Sequence, residues 1–175
     1  RQVIITSLLC TRYSILKAII FCLSIFTLFA VIKTLMQKFI GFDSFETKWL
    51  NAGGATTHII WSGIRYFSFF TDASNMGANM GAAIMFFGIA SLYMRSALCK
   101  IYYSCIAILA LYALFLSGTR GAMIVPLAGL ALYTLISKQT KMVIGGASML
   151  LFIYIFFAFT TIGESNSSIR RMRTA

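Results

Sequence analysis

Ala18-Ile19-Ile20-Phe21-Cys22-Leu23-Ser24-Ile25-Phe26-Thr27-Leu28-Phe29-Ala30-Val31-Ile32 decides the fold class. The run carries no charge, and Lys17 and Lys33 bracket it. The two lysines stand 16 positions apart, about 24 Å at the helical rise. Each can lay its alkyl stem along a helix and set its ammonium at one of two opposite membrane surfaces. Widened to residues 15–36, the stretch meets the roughly 20 apolar residues that a bilayer-spanning helix requires. Upstream, Val3 to Cys10 is apolar but too short to span, and reads as the tail of a separate helix. Downstream, further spans are expected at 75–94, 101–117, 122–137 and 142–161. Only Gly118 to Gly121 joins the third span to the fourth, so these two are expected to be antiparallel across a tight turn. The expectation is an all-α, polytopic transmembrane bundle of about five spans, a single membrane domain over 1–175.

Composition supports this. Of 175 residues, 59% are hydrophobic and 11% are charged. Soluble domains carry about 25% charged residues, so this chain cannot cover a globule with polar side chains. Its apolar content also excludes disorder. The charge is lopsided, 15 Lys+Arg against 4 Asp+Glu, net +11. The cations are divided between spans and not gathered on one soluble surface, which argues against nucleic acid as a partner. One histidine and four acids argue against an internal metal site, and no cofactor is expected. Cys10, Cys22, Cys99 and Cys105 show no CxxC spacing and read as small buried hydrophobes. The chain opens on Arg1 and stops after a basic cluster, so an interior piece of a longer protein is expected. No cleavable signal peptide is visible at its start.

The short loops Arg95–Lys100 and Lys138–Lys141 are basic and acid-free, which places them in the cytoplasm by the positive-inside rule. Arg170, Arg171 and Arg173 run against that rule. The 37–74 segment and the 118–121 turn then share the opposite face. The 37–74 segment holds both tryptophans, His58 and three of the four acids. It is expected to be an interfacial loop, with a short amphipathic helix lying on the surface.

Two arginines fall on that face. Arg120 lies in Leu116-Ser117-Gly118-Thr119-Arg120-Gly121, and Arg65 in Trp61-Ser62-Gly63-Ile64-Arg65-Tyr66. Either is compatible with a plain interfacial anchor. Around Arg120, however, two glycines, the Ser117 and Thr119 hydroxyls and the N–H groups of a helix starting near Gly121 converge. Together these devices suit a phosphate or diphosphate.

Leu114-Phe115-Leu116-Ser117-Gly118-Thr119-Arg120-Gly121-Ala122, followed by an apolar helix, resembles the S-G-[ST]-R-[GA] signature of the bacterial O-antigen ligase/polymerase family. The stretch from Arg65 through Phe67, Phe69 and Phe70 to Asn75 and Gly77 also resembles that family, in which an arginine precedes a Gly/Phe-rich turn ending in an Asn near a helix start. The resemblance implies a bacterial inner-membrane enzyme with its site facing the periplasm. Such an enzyme transfers a glycan from an undecaprenyl-diphosphate carrier to lipid A-core or to another lipid-linked glycan, without a metal. It implies Arg120 and Arg65 as the catalytic cations on the leaving diphosphate. Ser117, Gly118, Thr119, Gly121 and Asn75 would contact the substrate. The family's base would be a histidine in a later periplasmic loop, and His58 matches no such position. His58 is expected to be an interfacial polar residue, and the chain alone is expected to be inactive.

Several features carry two readings. Gly77 and Gly81 serve close helix packing or ligand approach. Asp72 orients Arg65 or is a solvated acid. Asn75 caps the second span or touches substrate. Pro126 kinks the fourth span with or without opening a lipid groove. Two alternative functions stand beside the transferase: a transporter or flippase for an anionic lipid or solute, and a membrane anchor or assembly subunit with no small-molecule site. No span carries a charge near its middle, which argues mildly against transport.

Overall fold

The computed structural model describes residues 2–60, 63–119 and 121–137. In chain order these form α1 (Gln2–Phe39), α2 (Ser44–Trp49), a π-turn (Leu50–Gly54), α3 (Ala55–His58), β1 (Ile59–Ile60) and β2 (Gly63–Ile64). Then follow α4 (Ala73–Tyr93), α5 (Ala97–Ser117), a 3-10 turn (Gly121–Met123) and α6 (Ile124–Ser137). The strands are a single two-residue antiparallel contact, Ile59 opposite Ile64 and Ile60 opposite Gly63. The fold is all-α. Among the described residues, three helices are long and apolar enough to cross a membrane: Ser14–Phe39 within α1, α4 and α5. The stretch Gly121–Tyr133 is a shorter apolar helix at the place of the expected fourth span. The expected span at 142–161, Arg120, Trp61 and the basic tail lie outside the described residues.

α1 differs from expectation in running unbroken from Gln2, so Val3–Cys10 belongs to the spanning helix. The linking residues Thr11-Arg12-Tyr13-Ser14 include neither Gly nor Pro, and nothing in them breaks the ladder. α4 and α5 form an antiparallel hairpin joined by Met94, Arg95 and Ser96. Phe87 stacks on Tyr103 near that connector, with ring centroids 5.8 Å apart. α1 runs parallel to α5. Ser24 Oγ lies 3.0 Å from the Tyr102 hydroxyl, and nearer the other end Lys38 Nζ donates to the Tyr112 hydroxyl. α6 packs on α4 through two small residues. A Cβ on Gly81 would stand 3.0 Å from Pro126 Cδ, and one on Gly129 would stand 2.7 Å from Met85 Cγ. Pro126 falls in the first turn of α6, directly after the 3-10 turn. A missing N–H costs little in a first turn, so proline marks the helix start here and not a mid-span kink.

Val31, Met76, Met80, Phe87, Ile106, Ala110 and Leu114 are buried between the helices. Phe26, Phe29, Ile108 and Leu132 are exposed on the outside of the bundle. An apolar outer surface on this scale is stable only in hydrocarbon, and the chain is a membrane protein. Cys22 and Cys105 also lie on the outer surface, contrary to the expectation that they fill the core. In a bilayer an apolar side chain leaves water without entering the protein interior.

Within the 40–72 segment the short helix α2 is exposed and has no buried residue. The chain reverses at Gly41, whose φ of +105° favours glycine. α2 then starts with a capping box: Ser44 N–H donates to Asp43 Oδ1 (2.6 Å), and Asp43 N–H donates to Glu46 Oε2 (2.9 Å). Glu46 Oε1 turns back to α1, accepting from Gln37 Nε2 (2.8 Å) and lying 3.0 Å from Lys33 Nζ. Burial raises the Glu46 pKa. The hydrogen bonds from Asp43 and Gln37, with the Lys33 ammonium, outweigh it and hold the carboxyl below its usual range.

Ser68 anchors the other arm of the segment. It occupies the left-handed region at φ 55°, where a Cβ is strained. Its hydroxyl donates to the Ala30 carbonyl (2.7 Å), its N–H to Gln37 Oε1 (2.9 Å), and its carbonyl accepts from Gln37 Nε2 (3.2 Å). Ala30 precedes the end of α1 by nine residues, about 13 Å of helical rise. The segment therefore folds back along α1. Leu50, Phe67 and Ala73 form its own small core, flanked by Phe42.

Candidate functional site

The turn at the end of α5 owes its shape to Gly118, which caps the helix at φ 61° and ψ 22°. Its N–H donates to the Phe115 carbonyl at 3.1 Å. Ser117 is fully buried. Its hydroxyl donates to the Leu114 carbonyl (2.8 Å) and accepts the Thr119 N–H (3.3 Å). Ser117 thus holds the turn closed from within. Close approach of α4 completes the fit: a Cβ on Gly77 would stand 2.8 Å from both Ala122 Cβ and Ser117 Oγ. Both glycines of the Gly77/Gly81 pair serve packing against this turn and the start of α6.

Arg65 reaches into the same turn. Arg65 Nη2 donates to Thr119 Oγ1 at 2.8 Å and to Ser74 Oγ at 3.3 Å. Nε donates to the Ser117 carbonyl at 3.5 Å, and Nη1 to the Thr57 carbonyl at 3.4 Å. The Thr119 hydroxyl in turn donates to the Ala73 carbonyl at 3.2 Å. The two motifs, 54 positions apart in the chain, meet on one guanidinium. Every acceptor is neutral, and among the described residues no carboxylate stands within ion-pair distance of Arg65. Only the Thr119 bond has the length of a strong hydrogen bond; the other three are long. The guanidinium is therefore positioned by Thr119, and its remaining edge is weakly held. A half-buried cation in that state is suited to an oxyanion.

His58 supports this arrangement from inside the protein. It is buried, with Trp49 and Phe67 edge-on at centroid distances of 5.1 and 4.8 Å. Its Nε2 accepts the Ala73 N–H (3.3 Å), one of the unpaired donors at the start of α4, and its Nδ1 lies 3.0 Å from the Gly54 carbonyl. The His58 carbonyl accepts the Arg65 N–H at 2.8 Å. Asp72 Oδ1 stands 3.7 Å from His58 Nε2, so the acid faces the histidine and not Arg65.

Asp72, not Asn75, is the N-cap of α4. Asn75 is exposed in the first turn, its amide donating to Thr71 Oγ1 at 3.4 Å. Gly121 is exposed and opens the 3-10 turn, in which the Ala122 N–H is already taken by the Thr119 carbonyl at 3.3 Å. Arg120, between them, lies outside the described residues. Sequence reasoning did not find Ser74 or the Thr57 carbonyl as partners of Arg65. Ser74 lies inside the quoted motif, whereas a backbone acceptor leaves no trace in residue type. No family model, no curated protein and no solved structure matches the chain.

Proposed function

We propose that the Arg65–Thr119 end of the bundle binds the diphosphate of a polyprenyl-linked glycan, in a membrane glycan transferase of the O-antigen ligase or polymerase type. One observation carries the reading: two separate motifs converge on a half-buried guanidinium that has neutral partners and no carboxylate among the described residues. Under this reading Thr119 and Ser74 aim the fork, and the diphosphate oxygens replace the long contacts to the backbone carbonyls. Arg120 supplies the second cation, and Gly118, Gly121 and Asn75 line the approach. Charge builds on the leaving diphosphate, and cations already in place there lower the barrier. The glycan passes to lipid A-core or to another lipid-linked glycan at the periplasmic face of the bacterial inner membrane.

The test is binding of geranylgeranyl diphosphate to the protein in detergent micelles, with geranylgeraniol as control. A hydrogen bond to a charged group contributes about 1.5–3 kcal/mol, so Arg65→Ala is expected to weaken diphosphate binding by roughly tenfold to a hundredfold. Arg65→Lys, which keeps charge without the fork, falls between. Equal affinity for wild type and Arg65→Ala overturns the assignment. Glycan transfer in cells that survives both Arg120→Lys and Arg120→Ala removes Arg120 from the proposed role.

A further inference from the structure

Four hydrogen bonds close a circuit behind the Arg65 fork. The Arg65 N–H donates to the His58 carbonyl at 2.8 Å. The Ala73 N–H donates to His58 Nε2 at 3.3 Å. The Ala73 carbonyl accepts from the Thr119 hydroxyl at 3.2 Å, and Thr119 Oγ1 accepts from Arg65 Nη2 at 2.8 Å. Two further acceptors of the guanidinium flank the same circuit: the carbonyl of Thr57, next to His58, and the hydroxyl of Ser74, next to Ala73. The His58 ring therefore staples residues 57–58 to residues 73–74, and so sets the spacing of the groups that grip Arg65.

The partners of the ring fix its tautomer. A backbone amide can only donate, so Nε2 presents a lone pair to Ala73 and Nδ1 carries the hydrogen. Nδ1 accordingly faces two oxygens, the Gly54 carbonyl at 3.0 Å and Thr57 Oγ1 at 2.7 Å. Trp49 and Phe67, edge-on to the imidazole, hold its plane. No other group takes over the Ala73 N–H. Asp72, the N-cap of α4, makes no side-chain cap bond. Its Oδ1, 3.7 Å from Nε2, is too far to compete for the ring. Both His58 and Ala73 are buried, so loss of the ring nitrogen leaves this N–H unpaired.

We infer that His58 is a positioning residue: its ring sets the aim of the Arg65 guanidinium through Ala73 and Thr119. What that aim serves rests on the diphosphate reading above; the aim can be measured with no ligand present. The test is the reaction of Arg65 with phenylglyoxal, read by peptide mass spectrometry on the protein in detergent micelles. His58→Phe keeps a ring between Trp49 and Phe67 but offers Ala73 no acceptor. Modification of Arg65 is then expected to run about threefold to tenfold faster than in wild type, the shift that one lost hydrogen bond allows. His58→Gln restores an acceptor oxygen at a reach close to that of Nε2, and is expected to react at close to the wild-type rate. Phe87→Leu loosens the far end of the α4–α5 hairpin, where Phe87 stacks on Tyr103, without touching the circuit. It is expected to leave the Arg65 rate unchanged. A wild-type rate in His58→Phe, or an equal rise in His58→Gln or in Phe87→Leu, overturns the inference. Geranylgeranyl diphosphate added to wild type tests the diphosphate reading separately: failure to protect Arg65 removes that reading and leaves the aim of Arg65 set by His58.

Discussion

An alanine at Gly77 puts a methyl carbon 2.8 Å from Ala122 Cβ, 2.8 Å from Ser117 Oγ and 3.3 Å from Thr119 Cβ. Carbon atoms prefer about 3.5–4.0 Å, and the nearest neighbours have little room to retreat. Ala122 is buried and has no rotamer to change. Ser117 Oγ is held by the Leu114 carbonyl and the Thr119 N–H. α4 must therefore back away from the turn, and overpacking of this kind costs about 1–3 kcal/mol; two rigid contacts place Gly77→Ala in the upper half of that range. Gly88, on the same helix, is the internal control, because a Cβ there meets nothing within 4 Å. Gly88→Ala is expected to stabilise by about 0.5 kcal/mol through helix propensity. The assay is equilibrium unfolding in detergent micelles, with both variants read by one probe. The displaced turn also carries Thr119 away from Arg65, so geranylgeranyl diphosphate binding should weaken in Gly77→Ala alone. If Gly77→Ala unfolds no more easily than Gly88→Ala, α4 does not press on this turn and the packing argument fails.

The same unfolding assay checks three further expectations. Ser68→Ala keeps the left-handed strain and loses the bond to Ala30, and should cost about 1 kcal/mol; Ser68→Gly loses the bond but also relieves the strain, and should unfold near wild type. For His58→Ala, loss of the ring between Trp49 and Phe67 adds to an unpaired Ala73 N–H, for about 3 kcal/mol in all. His58→Phe keeps the ring, and should isolate the part due to that N–H. The Glu46 carboxyl is held below its ordinary value of 4.5, so the unfolded chain binds this proton more readily. Its stabilisation is therefore full above the unfolded value and is lost as pH falls through the folded one. Acidification should weaken wild type across that window, and Glu46→Gln should lack that part of the loss.

The long helices could be read from the sequence because a bilayer demands a length of apolar residues that few other structures need. The expected 75–94 and 101–117 fall within a few residues of α4 and α5. The errors lie where polar residues join a helix. Lys100 sits in the exposed first turn of α5, its N–H on the Ser96 carbonyl, so the helix starts earlier than apolarity alone suggests. The pairing of Arg65 with Ser117 and Thr119 was foreshadowed by placing both motifs on one face. The folded-back segment was not, because Gln37 looks like any polar residue at a helix end. Only the fold shows its amide paired with the backbone of Ser68, 31 positions away. The partner of His58 is hidden for a similar reason: a ring nitrogen that serves a helix start has no pattern in residue order.

The three-residue connector between α4 and α5 has a consequence for biogenesis. Contacts within that hairpin are local and can form as soon as both segments have left the translocon, because closing a short loop costs little entropy. The Ser68–Ala30 and Arg65–Thr119 bonds span 38 and 54 positions. The anchor to α1 can close before α5 is made, but the guanidinium has no Thr119 to meet until synthesis has passed α5. Nascent chains arrested before residue 117 should therefore protect the α1–Ser68 contact from proteolysis while leaving the Arg65 region open. Extension past the turn should close it.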